Sequence, residues 1–307
     1  MNDLYLDFPT FMRRHCGGRV QKISLHAGFT CPNRDGTLGT GGCTYCNNQT
    51  FHPAYCLPTH TVRQQMEDGV TFFSHKYPSM RYLAYFQAYT NTYGELSHLI
   101  SLYEEALSVP GVEGIVIGTR PDCMPDALLD YLEQLSHRVF VLVEYGIEST
   151  NDATLARIHR GHTFAASADA IRRTSSRGIL TGGHLILGLP GESEQQMVDM
   201  ATQLSSLPLD IIKLHQLQLI RGTQMADEYA AHPEEFHLFE VDEYIHLVAL
   251  FLERLRPDIA LERFVTSSPR QLVIAPDWGL KNYEYVERLK VHMRQLNTWQ
   301  GRLYNPT

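Results

Sequence analysis

Cysteine is scarce in this chain, with six in 307 residues, too few for the disulfide framework that staples a secreted protein. Long apolar runs are also missing. No stretch approaches the ~18 residues of a membrane-spanning helix, and the opening Met1-Asn-Asp-Leu-Tyr5 lacks the basic flank and apolar core of a signal peptide. A cytoplasmic protein is expected. Positive charge is in short supply, since 26 Lys and Arg against 34 Asp and Glu give a net charge of −8. That balance excludes a protein that coats nucleic acid nonspecifically over its whole surface. Arg172, Arg173 and Arg177 form a local basic run that reads as a solvated helix face. No G-x-x-x-x-G-K-[ST] loop and no G-x-G-x-x-G between strand and helix occurs, which removes nucleotide-triphosphate and Rossmann readings. The fifteen histidines are scattered without metal-ligand spacing.

What is present is a regular alternation. With 43% hydrophobic residues the chain can bury a large core. After a helical N-terminal stretch carrying Leu4, Phe8 and Met12 at four-residue spacing, β-rich runs fall at Lys22–His26, Arg81–Gln87, Gly114–Thr119, Val139–Glu148, Ile179–Gly188 and Asp210–Leu217. Helical candidates lie between them near 60–76, 94–108, 125–136, 163–177 and 192–206. Strand and helix in alternation build a parallel sheet from βαβ units. Six units are too few for the eight-unit barrel, so the expected fold is α/β, an open six-stranded partial barrel. With no internal repeat, low-complexity tract or linker, residues 1–307 read as a single domain, with a core at about 20–256 and a C-terminal extension at 257–307. Leu261–Thr266 in that extension reads as a further strand or the barrel rim, and Tyr283–Leu296 as a closing helix.

Side-chain parity says what faces inward. In the fourth run Val139, Val141, Val143, Tyr145 and Ile147 share one face, while Phe140, Leu142, Glu144, Gly146 and Glu148 share the other. The first suits packing against helices. The second ends in two carboxylates, and the same parity places Gly182, His184 and Gly188 on one face of the fifth run; Gln87, Lys213 and His215 are candidate inward residues. An interior of Glu, His, Gln, Lys and Gly is a ligand chamber, because unpaired charges in a dry core cost several kcal/mol and ligands of parallel α/β folds sit at the C-terminal strand ends.

Three of the six cysteines cluster behind the first run, in Cys31-Pro-Asn-Arg-Asp-Gly-Thr-Leu-Gly-Thr-Gly-Gly-Cys43-Thr-Tyr-Cys46, a C-x11-C-x2-C spacing. Gly36, Gly39, Gly41 and Gly42 allow the loop to wrap a bulky inorganic group and point several sulfurs inward. Iron-sulfur clusters are normally held by four thiolates; three would leave one iron open to a small molecule. The other reading of the same cysteines is a structural zinc site completed by His26 or His52 as a Cys3His set, in a non-catalytic binding module. Cysteines alone leave both open. Cys16, Cys56 and Cys123 read as ordinary buried or partly buried thiols.

The loop, with aromatic Tyr45 just before the last cysteine, resembles the cluster loop of radical S-adenosylmethionine (SAM) enzymes. The long first gap resembles the elongator-catalytic-subunit-like branch, and the whole chain the bacterial YhcC/YtqA type. His184-Leu-Ile-Leu-Gly-Leu-Pro-Gly-Glu192 is similar to the G-L-P-G-E element of the same superfamily, with Glu192 and Glu194 read as opening the next helix. The resemblance covers roughly residues 20–270 and implies the following. The fold is a partial (β/α)6 radical SAM barrel, and Cys31, Cys43 and Cys46 hold a 4Fe-4S cluster whose open iron chelates SAM. Glu148 contacts the ribose and Arg160 the methionine carboxylate, chemistry that suits an acceptor and a fixed cation. Tyr45, Gln87 and His184 are further cofactor contacts, with His184 standing where some relatives have aspartate, and Tyr89 and Arg120 contact cofactor or substrate. One electron from the reduced cluster cleaves SAM to methionine and a 5′-deoxyadenosyl radical. A flavodoxin- or ferredoxin-like protein is the implied reductant. A tRNA base is the implied substrate, with a small metabolite or a protein side chain as the alternative.

Overall fold

The computed structural model describes residues 4–47, 53, 55–74, 80–266 and 268–306. In chain order its strands are β1 (Val20–Leu25), β2 (Arg81–Phe86), β3 (Val112–Thr119), β4 (Phe140–Glu148), β5 (Leu180–Leu187), β6 (Ile211–Gln216), β7 (Leu219–Ile220), β8 (Ala260–Arg263) and β9 (Val273–Ala275). The six expected runs are the first six of these. Each pairs in parallel with the next, and β8 adds to β6 as a seventh parallel strand. The α/β half-barrel is therefore one strand wider than the βαβ count suggested. β8 is the further strand allowed for at Leu261–Thr266, only four residues long and arriving after two helices rather than one, outside the regular βαβ spacing. β7 and β9 form a separate antiparallel ribbon.

The helices between strands are α2 (Val62–Ser74), α3 (Leu96–Leu107), α4 (Asp126–Ser136), α6 (Phe164–Ser175) and α7 (Glu194–Ser205), each within a few residues of its expected range. Short α5 (Asp152–Arg157) follows β4, while α8 (Gln224–Ala231) and α9 (Val241–Arg254) fill the span between β7 and β8. α9 buries Tyr244, Ile245, Leu247, Val248, Ala249, Phe251 and Leu252 and turns Asp242, Glu243 and His246 to its other side. The closing helix α10 (Asn282–Gln295) packs on α9 through Tyr285, Leu289 and Met293. Arg173 and Arg177 do form a solvated face, paired with Asp126, Asp130 and Asp169. Among the described residues no helix is long and apolar enough to cross a membrane.

The first helix, α1 (Phe8–Cys16), begins later than its spacing implied and leaves Leu4 outside. The Asp7 side chain accepts from the Thr10 amide at 2.7 Å, Pro9 occupies the first turn, and Gly17 at φ 66° ends the helix in the left-handed region. Its buried Phe11, Met12 and Cys16 pack against Leu83, Tyr85, Val116, Leu142, Ile211 and Ala260, all on the inner face of the sheet. The helix is thus a plug in the N-terminal mouth of the half-barrel. Val141, Val143, Tyr145 and Ile147 face the helical layer, as parity predicts. Close approach of β3 and β4 depends on Gly114, where a Cβ would lie 2.1 Å from the Phe140 carbonyl oxygen.

Truncating the plug tests this arrangement. Met12→Ala is expected to cost about 2–5 kcal/mol in a urea unfolding series, because Met12 is almost completely buried. A loss no larger than that of an exposed methionine would show that the plug does not bear on the fold.

Candidate active site

A cavity of about 700 Å³ opens at the C-terminal strand ends, within the range of small-molecule sites. Cys31, Cys43 and Cys46 line it together with Tyr45, Gln87, Glu148, Arg160 and His184, so the fold brings all eight expected site residues to one space. Tyr89 and Arg120 line it as well.

The cysteine loop is held from within and from the strand it faces. Leu38 and Gly39 amides donate to the Pro32 carbonyl at 2.8 and 3.2 Å, the Gly42 amide donates to the Asn33 carbonyl at 2.8 Å, and the Cys46 amide donates to the Cys43 carbonyl at 2.9 Å. Gly42 has φ 79°, and a Cβ there would sit 2.9 Å from the Arg34 guanidinium, which itself donates to the Cys46 carbonyl at 2.9 Å. Asn33 reaches out of the loop: its Nδ2 donates to the carbonyls of His159 and Arg160 at 2.8 and 3.1 Å and lies 3.4 Å from Cys43 Sγ. Arg160 answers from the other side, with Nη1 3.6 Å from Cys43 Sγ, Nη2 donating to the Gly146 carbonyl at 2.6 Å and standing 3.6 Å from Glu148 Oε1. Arg120 braces the same turn, forked onto Asp122 and donating to the Arg160 carbonyl at 2.8 Å. Glu148 and Tyr89 both have left-handed backbone, φ 69° and 64°. Such strain in non-glycine residues clusters where side chains must be aimed.

This donor set fits an iron-sulfur cluster. None of the six cysteines is in a disulfide, and two N–H donors point at the Cys43 sulfur, as a thiolate would use them. Burial, and then the nearby Cys43 and Cys31, push the Cys46 thiol up to about 11, although Arg34 pulls the other way. Three ionised sulfurs there need a multiply positive group beside them. A single zinc ion fits poorly. Among the described residues no three His, Cys, Asp or Glu side chains gather for one ion, and His26 Nδ1 instead accepts from the Gly28 amide at 3.2 Å. His52 lies outside the described residues.

Deeper in the cavity lies a group of charges that parity located only in part. Glu144 on β4 is 2.5 Å from Lys22 Nζ on β1 and 3.4 Å from Lys213 Nζ on β6; Glu262 on β8 is 2.6 and 3.1 Å from the same two ammonium groups. His184 Nε2 lies 2.9 Å from Glu144 Oε2, and the Tyr85 hydroxyl donates to that oxygen at 2.7 Å. His184 is thus engaged by Glu144 in this structure. Burial alone would raise the Glu144 carboxyl, but Lys213, Lys22 and His184 outweigh it and hold the group well below its ordinary 4.5. The two lysines diverge. Burial lowers both; Glu144 and Glu262 overcome it at Lys22, whereas at Lys213 the added repulsion of Lys22 and Arg263 leaves the net shift downward. Lys22, Tyr85, Glu262 and Arg263 lie in segments read as strands from the sequence but were not singled out there as site residues. Lys22 stands in the first run and could have been found by extending the parity argument to β1. Glu262 and Arg263 sit in the segment read as a further strand or the barrel rim, where a register slip breaks the parity that would have aimed them.

The motif after β5 works structurally. Glu192 precedes α7 rather than opening it, since Ser193 is the N-cap in a capping box with Gln196, and Glu192 accepts a hydrogen bond from the Ser149 hydroxyl beyond β4. It ties the ends of neighbouring strands.

The Glu144 charge has a pH signature. A carboxyl depressed in the folded state stabilises fully above its unfolded value near 4.5 and loses that contribution as pH falls through the lower folded value. Glu144→Gln is therefore expected to cost about 3–5 kcal/mol at neutral pH and to flatten the acid limb of stability against pH. Urea unfolding at a series of pH values checks both, and an acid limb as steep as in the parent would remove Glu144 from this role.

Comparison with known proteins agrees with this geometry. The Radical SAM superfamily model matches residues 33–204 and the Radical_SAM C-terminal domain model residues 209–295. The Bacillus subtilis uncharacterized protein YtqA is 33% identical over 95% of this chain and 90% of its own length. Escherichia coli protein YhcC is 36% identical over 87% of this chain and 85% of its own. Among solved structures, the archaeal Methanocaldococcus infernus Elp3 lacking residues 1–46 superposes with a TM-score of 0.69 at 15% identity, over 92% of this chain. This chain spans 64% of the length of that structure, and the likeness is one of fold. With one family model covering more than half of the chain, and two relatives above 30% identity over most of it, the protein belongs to the radical SAM superfamily of enzymes.

Proposed function

We propose that Cys31, Cys43 and Cys46 hold a 4Fe-4S cluster, that SAM binds beside it, and that reductive cleavage of SAM starts a radical reaction on a tRNA nucleoside. The observation that carries the reading is the convergence of the three thiols, Arg160 and Glu148 on one cavity. When bound and reduced, the cluster supplies one electron that breaks the C5′–S bond of SAM and yields methionine and a 5′-deoxyadenosyl radical.

The residues supply position and charge. Arg160 is buried, and its Nε has no hydrogen-bond partner among the described residues, which leaves one N–H for a carboxylate next to the cysteine loop. Glu148, aimed by its left-handed backbone, accepts from ribose hydroxyls, while Tyr45 and Gln87 wall the cofactor. His184 is placed at the border between cofactor and substrate. The buried walls exclude water, which preserves a reactive intermediate. The family needs a reductant, and a flavodoxin- or ferredoxin-like protein is proposed for it.

Support for an RNA substrate comes from a relative named tRNA uridine(34) acetyltransferase in Methanocaldococcus infernus, 21% identical over 59% of this chain. Nucleoside mass spectrometry of tRNA from a deletion strain tests this part. A missing or precursor nucleoside is expected, and an unchanged profile across growth conditions would point to a small metabolite or protein substrate.

The cofactor assignment is tested on the reconstituted protein. Electron paramagnetic resonance of the reduced protein should show a cluster signal that shifts on adding SAM, and Cys31→Ala should lose it. Arg160→Ala should keep the signal while SAM affinity falls by about 2 kcal/mol, on the order of 30-fold. Unchanged SAM affinity would take Arg160 out of the site.

A further inference from the structure

We infer that the floor of the cavity is an anion-accepting subsite anchored by Arg263, which takes a carboxylate or phosphate group carried by the substrate. The inference rests on reading this cavity as the substrate chamber. Four arginines line the cavity: Arg34, Arg120, Arg160 and Arg263. The first three are engaged, Arg34 on the Cys46 carbonyl, Arg120 on Asp122 and Arg160 on the Gly146 carbonyl. Arg263 is partly buried and has no hydrogen-bond or ion-pair partner among the described residues.

The charges around it give the site its sign. Lys22, Lys213, Glu144 and Glu262 close on one another in a square, because each ammonium lies within 3.4 Å of both carboxylates. That square is neutral in itself, so Arg263 remains as the surplus cation. Burial first, then His184 and Arg263, hold the neighbouring His215 well below 6.5, so it stays neutral and adds no competing charge. The Ser24 hydroxyl donates to Gln87 Oε1 at 3.2 Å, leaving the amide N–H groups of Gln87 as donors on the same lining. A partly buried guanidinium with no anionic partner in a cleft presents its planar fork of donors to an anionic ligand.

Backbone irregularity puts the arginine there. Ile212 pairs with Leu261, but the next residue, Lys213, pairs with Arg263, so the register slips by one between them. Strict alternation would send Glu262 and Arg263 to opposite faces. With the bulge, both line the cavity, a usual way to re-aim a side chain beside a site. The subsite is separate from the carboxylate position proposed at Arg160, which stands against Cys43 beyond β4.

The test is calorimetric titration of the reconstituted full-length protein with inorganic phosphate and, separately, with acetate. Saturable binding of at least one anion is expected, with a dissociation constant on the order of 1 mM. Arg263→Gln should weaken it about tenfold or more, and Arg263→Lys, which keeps the charge but loses the planar fork, should recover part of it. A preference for phosphate assigns the subsite to a nucleotide phosphate, and a preference for acetate to a carboxylate on the reacting group. No saturation by either anion up to about 100 mM, or equal affinity in Arg263→Gln with its thermal unfolding unchanged, would overturn the inference. Neither titration uses a reductant or SAM, so a negative result leaves the proposed SAM chemistry standing. Equally, an absence of SAM cleavage leaves the anion result standing.

Discussion

The carboxylate of Glu144 is the point on which the interior depends. A seven-stranded open sheet has two edge strands, here β1 and β8, which do not pair with each other; the outer side of β8 meets the segment before α1, where the Leu261 amide donates to the Leu6 carbonyl at 2.8 Å. Lys22 on one edge and Glu262 on the other meet at 2.6 Å, and Glu144 on the central strand and Lys213 on β6 complete the square. Buried ion pairs add little net stability, because desolvation offsets their attraction. Their value here is geometric. With both edges tied to a central strand, the curl of the sheet is set, and with it the distance between the cysteine loop that leaves β1 and the strand ends that face it.

Around that square the inner face divides into two zones. Towards the N-terminal ends Leu83, Val116, Leu142, Ile211 and Ala260 are sealed by α1; towards the C-terminal ends the same strands carry charge and open to the cavity. Glycines make room at the transition. A Cβ at Gly146 would lie 2.5 Å from both Arg160 Nη2 and Glu148 Oε1, and one at Gly182 would lie 3.1 Å from Glu144 Cγ. The plain runs Glu144-Tyr-Gly-Ile-Glu148 and Thr181-Gly-Gly-His184 therefore encode a close-packed charged wall, in which the missing side chains matter as much as the present ones.

This is also why so much of the site could be read from the sequence. Strands buried on both faces are apolar almost throughout, so a Glu, His or Lys inside one stands out, and period-two parity assigns it to the interior. Glu144, Glu148, His184, Lys213 and His215 were legible on that basis, as were the thiols from their spacing and the fold from its alternation. Parity failed where the backbone departs from period two. Glu262 and Arg263 sit at a register slip. Lys22 opens the first run, and its pairing with Glu262 depends on the curl of the sheet that brings β8 across to β1. Glu192 erred in the other direction, since a carboxylate before a helix reads as dipole chemistry, whereas its partner is Ser149, 43 residues away.

The remaining link is between the cysteine loop and the strand ends that face it. Asn33 lies two residues beyond Cys31, yet its amide holds the carbonyls of His159 and Arg160 and reaches the Cys43 sulfur. The Thr44 amide donates to the Ile158 carbonyl at 3.0 Å from the same loop. The loop that presents the thiols and the turn that presents Arg160 are therefore one hydrogen-bonded body, although more than a hundred residues separate them. A long glycine-rich loop has high conformational entropy to lose on ordering. Here the cost is offset by contacts to the turn that carries the arginine, so order in the loop and aim of the guanidinium arise together. Thiols and arginine are thereby preorganised as a unit, and a C-x11-C spacing can place its sulfurs as closely as a shorter loop would.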